Sequence, residues 1–114
     1  MPNDNSLPKT VEAWLTGLEQ QSGIPRREGL ERVSTLETFC KLVQKEPNQI
    51  IEECLREVEG GKKIRVKGRR FYAEKITEFE ETIEGAPGHK RKNGNYIRSF
   101  LIHNGILLQT SPLS

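Results

Sequence analysis

Apolar residues recur at spacings of three and four through most of this 114-residue chain, and this period constrains the fold more than any other feature. Near the end of the chain, Ile97, Phe100 and Leu101 fall on one face of a helix. The strict alternation typical of half-buried strands hardly occurs. We therefore expect an all-α fold, a small bundle of four to five helices around one modest core.

Glycine and proline breaks separate five expected helices, which span about residues 10–22, 25–44, 47–58, 72–83 and 90–103. Thr10 is expected to cap the first of them. Gly29 lies near the start of the second helix and costs roughly 1 kcal/mol against alanine. That helix therefore begins either near Pro25, a good first-turn residue, or nearer Leu30.

Two segments lie outside the five expected helices. In residues 62–70, Ile64 and Val66 alternate with basic side chains, but the stretch is short and has no evident partner strand, so a loop is expected. Asn104-Gly105 supplies a left-handed residue that closes the last helix. The apolar residues after it are expected to return to the core, namely Ile106, Leu107 and Leu108.

The length predicts one domain, residues 9–108, after a disordered N-terminus at residues 1–8. Residues 109–114 are typical of a linker. Cys40 and Cys54 occupy apolar helix positions, which indicates buried, reduced thiols. Because the chain has neither an apolar leader nor a run of membrane length, we expect a cytoplasmic protein without a membrane partner.

Positive charge is concentrated in two windows, although the net charge is only +2. The first basic window contains Lys62, Lys63, Arg65, Lys67, Arg69 and Arg70. The second basic window contains Lys90, Arg91, Lys92 and Arg98. Cations at the start of a helix are unfavourable by the helix dipole, so their position at the fifth helix calls for a compensating anion. Nucleic-acid phosphate is the commonest such anion for a basic domain.

Catalytic and metal sites find little support. The only histidines are His89 and His103, and with two cysteines they match no zinc spacing. The paired glutamates, Glu52-Glu53 and Glu80-Glu81, are typical of solvated helix faces. No glycine-rich phosphate loop is present. We therefore expect a non-catalytic domain without cofactor, metal or small-molecule substrate.

Three segments carry a resemblance to a known family: LETFCKLVQKEPNQIIEE from Leu36, FYAEKITEF from Phe71 and YIRSFLIHNGI from Tyr96. With them, residues 24–108 resemble the core-binding, N-terminal SAM-like domain of tyrosine recombinases of the phage-integrase type, closest to an archaeal-like branch. The first segment similarly ends one helix before a helix that begins with proline. The basic stretch 61–70 and Gly94 depart from the family pattern.

This resemblance implies a helical clamp on duplex DNA at a site of integration or recombination, with self-association on the DNA as one option. Strand cleavage would belong to a separate C-terminal domain that this chain lacks, and residues 109–114 would lead toward it. The family's arginine, lysine, histidine and tyrosine catalytic set is absent. Neither Tyr72 nor Tyr96 is therefore a candidate nucleophile.

The candidate DNA-binding residues are Arg26, Arg27, Lys63, Arg65, Lys67, Lys90, Arg91, Lys92 and Arg98. All are expected to bind phosphates except Arg98, which either reaches a groove edge or pairs with a glutamate. The alternative function is a helical protein–protein interaction module with a SAM-like fold that uses either acidic helix faces or an exposed apolar patch. A third hypothesis is RNA binding.

Overall fold

The computed structural model describes residues 7–108, which form five helices and one β-hairpin in a mostly helical bundle. In chain order the elements are α1 (Lys9–Ser22), α2 (Arg26–Val43), α3 (Pro47–Cys54), β1 (Leu55–Val58), β2 (Gly61–Ile64), α4 (Val66–Thr82) and α5 (Pro87–His103). The disorder expected for residues 1–8 and the linker at 109–114 lie largely outside this range. Within it, Leu7 packs against the core and Pro8 is the N-cap of α1.

One core lies between the helices, and the apolar period predicted its members. Trp14 and Phe100 meet edge to face with ring centroids 5.5 Å apart, and Phe39 meets Phe79 at the same separation. The indole N–H of Trp14 donates to the Ser99 hydroxyl at 3.0 Å, so the buried ring keeps its polar atom satisfied. The predicted helix face of α5 is confirmed, since Ile97, Phe100 and Leu101 are fully buried.

The β-hairpin is the largest departure from the predicted fold. β1 and β2 pair antiparallel, with Leu55 opposite Ile64 and Val58 opposite Gly61. The strictly all-α prediction, the extension of the third helix to Val58 and the loop at residues 62–70 are therefore wrong. The four residues 55–58 fit a helical period as well as a strand period, and their pairing with β2 decides between them. Gly60 and Gly61, with φ of 89° and 151°, allow the tight turn.

Three helix starts also differ from the predictions, and one of them is that of α5, which begins at Pro87 rather than near residue 90. α4 begins at Val66 rather than near Tyr72. Thr10 is not a cap but lies in the first turn of α1, where its hydroxyl donates to Asn48 Oδ1 at 2.6 Å. This bond ties α1 to α3, a tertiary use of the side chain that a local capping rule does not detect.

Close helix packing explains the glycines that seemed unfavourable in the sequence. α2 begins at Arg26, so Gly29 does not delay it. A Cβ on Gly29 would lie 2.7 Å from the Leu15 side chain, and a Cβ on Gly94 would overlap the Glu80 carboxylate. The missing side chains let α2 approach α1 and let Glu80 of α4 lie against α5, which compensates for their low helix propensity.

The end of α5 is partly as predicted. Gly105 has φ of 92° and ends the helix in the left-handed region. Ile106 returns to the core with no exposed surface, but Leu107 is 66% exposed. Only the first of these consecutive apolar residues therefore fills the core completely.

Both cysteines are free thiols, as predicted, but only Cys54 is fully buried and Cys40 is partly buried. Burial raises the pKa of Cys40 to about 11 and that of Cys54 to about 12. These thiols are therefore protonated at neutral pH and pack as small apolar groups.

None of the helices within residues 7–108 is long and apolar enough to cross a membrane.

Candidate functional site

The first turns of α5 carry a local excess of positive charge. Pro87 starts the helix, its first turn holds no acidic residue, and Ala86 provides no side-chain cap. Lys90 is half-buried, whereas Arg91 and Lys92 are exposed. Among residues 7–108, no carboxylate lies within 4.0 Å of these three cations. Their charge adds to the positive end of the helix dipole and is not neutralised by the protein.

Arg98, the last member of the second basic window, is engaged inside the protein. Its guanidinium lies 2.7 Å from Glu80 Oε2 and also donates to Asn95 Oδ1 at 2.9 Å. The Arg98 and Glu80 side chains are only 26% and 18% exposed. Of the two alternatives that the sequence left open, the structure shows the ion pair with a glutamate.

The start of α2 is partly neutralised. Arg26 makes a bidentate contact with Glu12 of α1, with N–O distances of 3.1 and 2.7 Å. Arg27 is exposed and makes no ion pair within the described part of the chain. Glu28 adds a negative charge to the same helical turn. Arg27 is therefore the available cation at this end of α2.

The first basic window is divided between β2 and the first turns of α4. Lys63 lies on β2, Arg65 is the N-cap of α4, and Lys67 is in its first turn. These three exposed cations line a pocket of about 400 Å³ between the hairpin and α4. Arg56 of β1 lines the same pocket. Arg56 was not among the predicted site residues, because only the strand pairing places it directly opposite Lys63.

Glu53, the carboxylate that lines this pocket, is already hydrogen-bonded on both oxygens. The buried Tyr72 hydroxyl donates to Oε1 at 2.7 Å, and Lys45 Nζ lies 3.0 Å from Oε2. The Tyr72 hydrogen bond, and then Lys45, lower the pKa of Glu53. Burial, together with the adjacent Glu53 carboxylate, raises the pKa of Tyr72.

Tyr72→Phe should make the stability of the protein less sensitive to acid. A lowered carboxyl pKa contributes stability above the unfolded value near 4.5, and this contribution is lost as pH falls through the folded pKa. The variant should lose about 1 kcal/mol at pH 7, where the hydrogen bond is present, and progressively less below about pH 4. Thermal unfolding of both proteins between pH 7 and 3 measures this, and parallel curves would contradict it.

The two basic windows lie far apart in the structure. Arg69 near the start of α4 reaches the Leu107 carbonyl, whereas Glu80 near its end pairs with Arg98, so α4 and α5 are antiparallel. The first turns of α5 therefore lie at the far end of the 17-residue α4, roughly 25 Å from the hairpin. Between these ends, exposed carboxylates follow one face of α4 at Glu74, Glu78 and Glu81.

Two contacts between α2 and α5 support the start of α5 and involve residues that were not predicted from the sequence. The Arg32 guanidinium lies 4.8 Å from the centre of the Tyr96 ring, a cation–π geometry. One turn away on each helix, the Thr35 hydroxyl donates to Asn93 Oδ1 at 3.4 Å. These contacts brace α5 just after its basic first turns, and no local sequence signal links the residues that make them.

The remaining candidates for chemistry stay apart from one another. His103 ends α5 and lies against Gly17 of α1, in a structural position. Across the described range, no group of three or more histidine, cysteine or acidic side chains is arranged to hold a metal ion. Comparisons with known protein families, with curated proteins and with solved structures found no match to this chain. The residues and their geometry therefore carry the functional conclusion.

Proposed function

We propose that this domain binds double-stranded DNA, as the core-binding, SAM-like part of a site-specific tyrosine recombinase or integrase. Strand cleavage would belong to a separate catalytic domain. One observation carries the proposal: Lys90, Arg91 and Lys92 occupy the first turns of α5 without a carboxylate partner among the described residues. The mostly helical bundle and the resemblance over residues 24–108 are compatible with it.

Binding would be mainly electrostatic. The three cations lie at the positive end of the α5 dipole, and both the cations and the dipole favour a phosphate group near that end. Arg27 and the exposed cations of the hairpin would add phosphate contacts elsewhere on the surface. Such contacts position a protein on the duplex and carry little sequence information by themselves.

A salt-dependent titration tests this function. The full chain is titrated into a fluorescent duplex of about 25 base pairs at several salt concentrations, and the slope of log affinity against log salt is read. We expect micromolar or tighter binding and a slope of magnitude about 3 or more, since each phosphate contact contributes about 0.9. Absence of binding at low salt would overturn the proposal, and preference for an RNA duplex of the same sequence would replace it with RNA binding.

The acidic face of α4 favours one alternative, a helical protein–protein interaction module. Glu74, Glu78 and Glu81 are exposed along this face, and although Lys75 pairs with Glu78 at 3.3 Å, the remaining negative charge suits a basic partner or a second copy of the chain. This alternative predicts self-association or partner binding, measurable by sedimentation, together with little affinity for DNA.

A further inference from the structure

Two cations face each other across the short β-hairpin. Arg56 of β1 is the direct cross-strand neighbour of Lys63 of β2. Like charges at directly opposed positions destabilise a strand pair, and a two-stranded hairpin has little stability of its own. On the other face of the hairpin the equivalent pair is Glu57 and Lys62, which are oppositely charged. The repulsive arrangement is therefore confined to one face.

More positive charge converges on that same face. Arg65 and Lys67 line the pocket of about 400 Å³ together with Arg56 and Lys63. Glu53, the carboxylate in the lining, is engaged by Tyr72 and Lys45. Within residues 7–108, none of the four pocket cations has a carboxylate within 4.0 Å. The pocket thus has a positive charge that the protein does not compensate.

The backbone that carries the four cations is held by contacts with α3 and the core, so the cations cannot easily move apart to relieve this repulsion. The Arg65 N–H donates to the Cys54 carbonyl at 2.7 Å, which joins the end of β2 to the end of α3. Gly68 lies so close to the Glu53 carbonyl that a Cβ there would overlap the oxygen. Leu55, at the base of the hairpin, packs against the core. The backbone around the four cations is therefore held in place before any ligand arrives.

We propose that this pocket binds a phosphate group. A guanidinium such as that of Arg56 can bind two phosphate oxygens in parallel, and a lysine such as Lys63 supplies a point charge beside it. A bound phosphate also converts the repulsion between these two side chains into joint attraction. The site is separate from the start of α5, because the length of α4 and its acidic face lie between them.

The phosphate can belong to a nucleic-acid backbone or to a free small phosphate, and the test separates these sources. The duplex source rests on the proposed function, whereas the phosphate site itself does not. Amide ¹H–¹⁵N NMR spectra of the full chain are recorded in two titrations, one with inorganic phosphate and one with the duplex. The variant Arg56→Gln/Lys63→Gln removes the two facing cations, and Lys62→Gln, which removes one cation from the other face of the hairpin, is the control for position.

With inorganic phosphate we expect saturable shifts of the amides of residues 63–68. Binding in the double variant should be about tenfold weaker or more, because two charged partners are lost. Lys62→Gln should bind like the unchanged protein. Equal shifts in all three proteins, or no shifts in this segment with either ligand, would overturn the pocket. Without ligand the double variant should melt at the same or a higher temperature, and a lower one would contradict the repulsion on which the proposal depends.

The two titrations also separate this proposal from the proposed function. Duplex-induced shifts at residues 88–93 with none at 63–68 in either titration would support DNA binding and overturn the pocket. Shifts at 63–68 with phosphate alone would support the pocket with a free phosphate as its ligand and remove the hairpin from the DNA interface. Shifts at both segments with the duplex would support a backbone phosphate in the pocket.

Discussion

Gly68→Ala is expected to lower the melting temperature of the protein by about 10 °C. The new Cβ would overlap the backbone carbonyl oxygen of Glu53, and no side-chain rotation can relieve that contact. The start of α4 would have to move away from the end of α3. Overpacking of this kind costs about 1–3 kcal/mol, and each kcal/mol corresponds to roughly 4–8 °C in a domain of this size.

Gly88→Ala is the matched control for this substitution. No heavy atom lies within 4 Å of the Cβ that alanine would add at Gly88, which is also helical. Alanine there should leave the melting temperature unchanged or raise it slightly, because alanine has the higher helix propensity. Thermal unfolding followed by circular dichroism compares the two. Equal melting temperatures would show that α3 and α4 are not in close contact at Gly68.

The variant Lys90→Gln/Arg91→Gln/Lys92→Gln is expected to lose most of its affinity for duplex DNA. If all three cations bind phosphates, the salt slope falls in magnitude by about 2.7, three times the contribution of one contact. The loss should be similar for unrelated duplex sequences, since phosphate contacts carry no sequence information. The measurement is the same salt titration, made with two duplexes of different sequence.

The control for this variant removes the same number of charges elsewhere. Lys9, Lys41 and Lys75 lie on α1, α2 and α4, and their conversion to glutamine gives the same formal net charge as the α5 variant. The control should keep a slope close to that of the unchanged protein. If both variants lose the same slope, binding follows net charge alone, and the start of α5 is not the interface.

Part of the candidate site follows from the sequence. The glycine and proline break before the fifth helix is a local pattern, and it predicts Lys90, Arg91 and Lys92 at a helix N-terminus, although α5 itself begins earlier, at Pro87. Arg26 and Arg98 were predicted as candidates too, but each forms an ion pair with a glutamate on another helix. Arg56 was not predicted, because only the strand register shows that it lies opposite Lys63.

The sequence by itself determined which helix faces are buried, because the spacing of apolar residues such as Trp14, Phe39 and Phe100 is a property of each segment alone. Only the tertiary structure decided that residues 55–64 form a hairpin and that the basic windows lie at opposite ends of α4. It also decided that the backbone at Gly29, Gly68 and Gly94 lies in close contact with neighbouring helices. These features depend on pairings between separate segments. Such pairings are set by the packing of the whole core and leave no local period in the sequence.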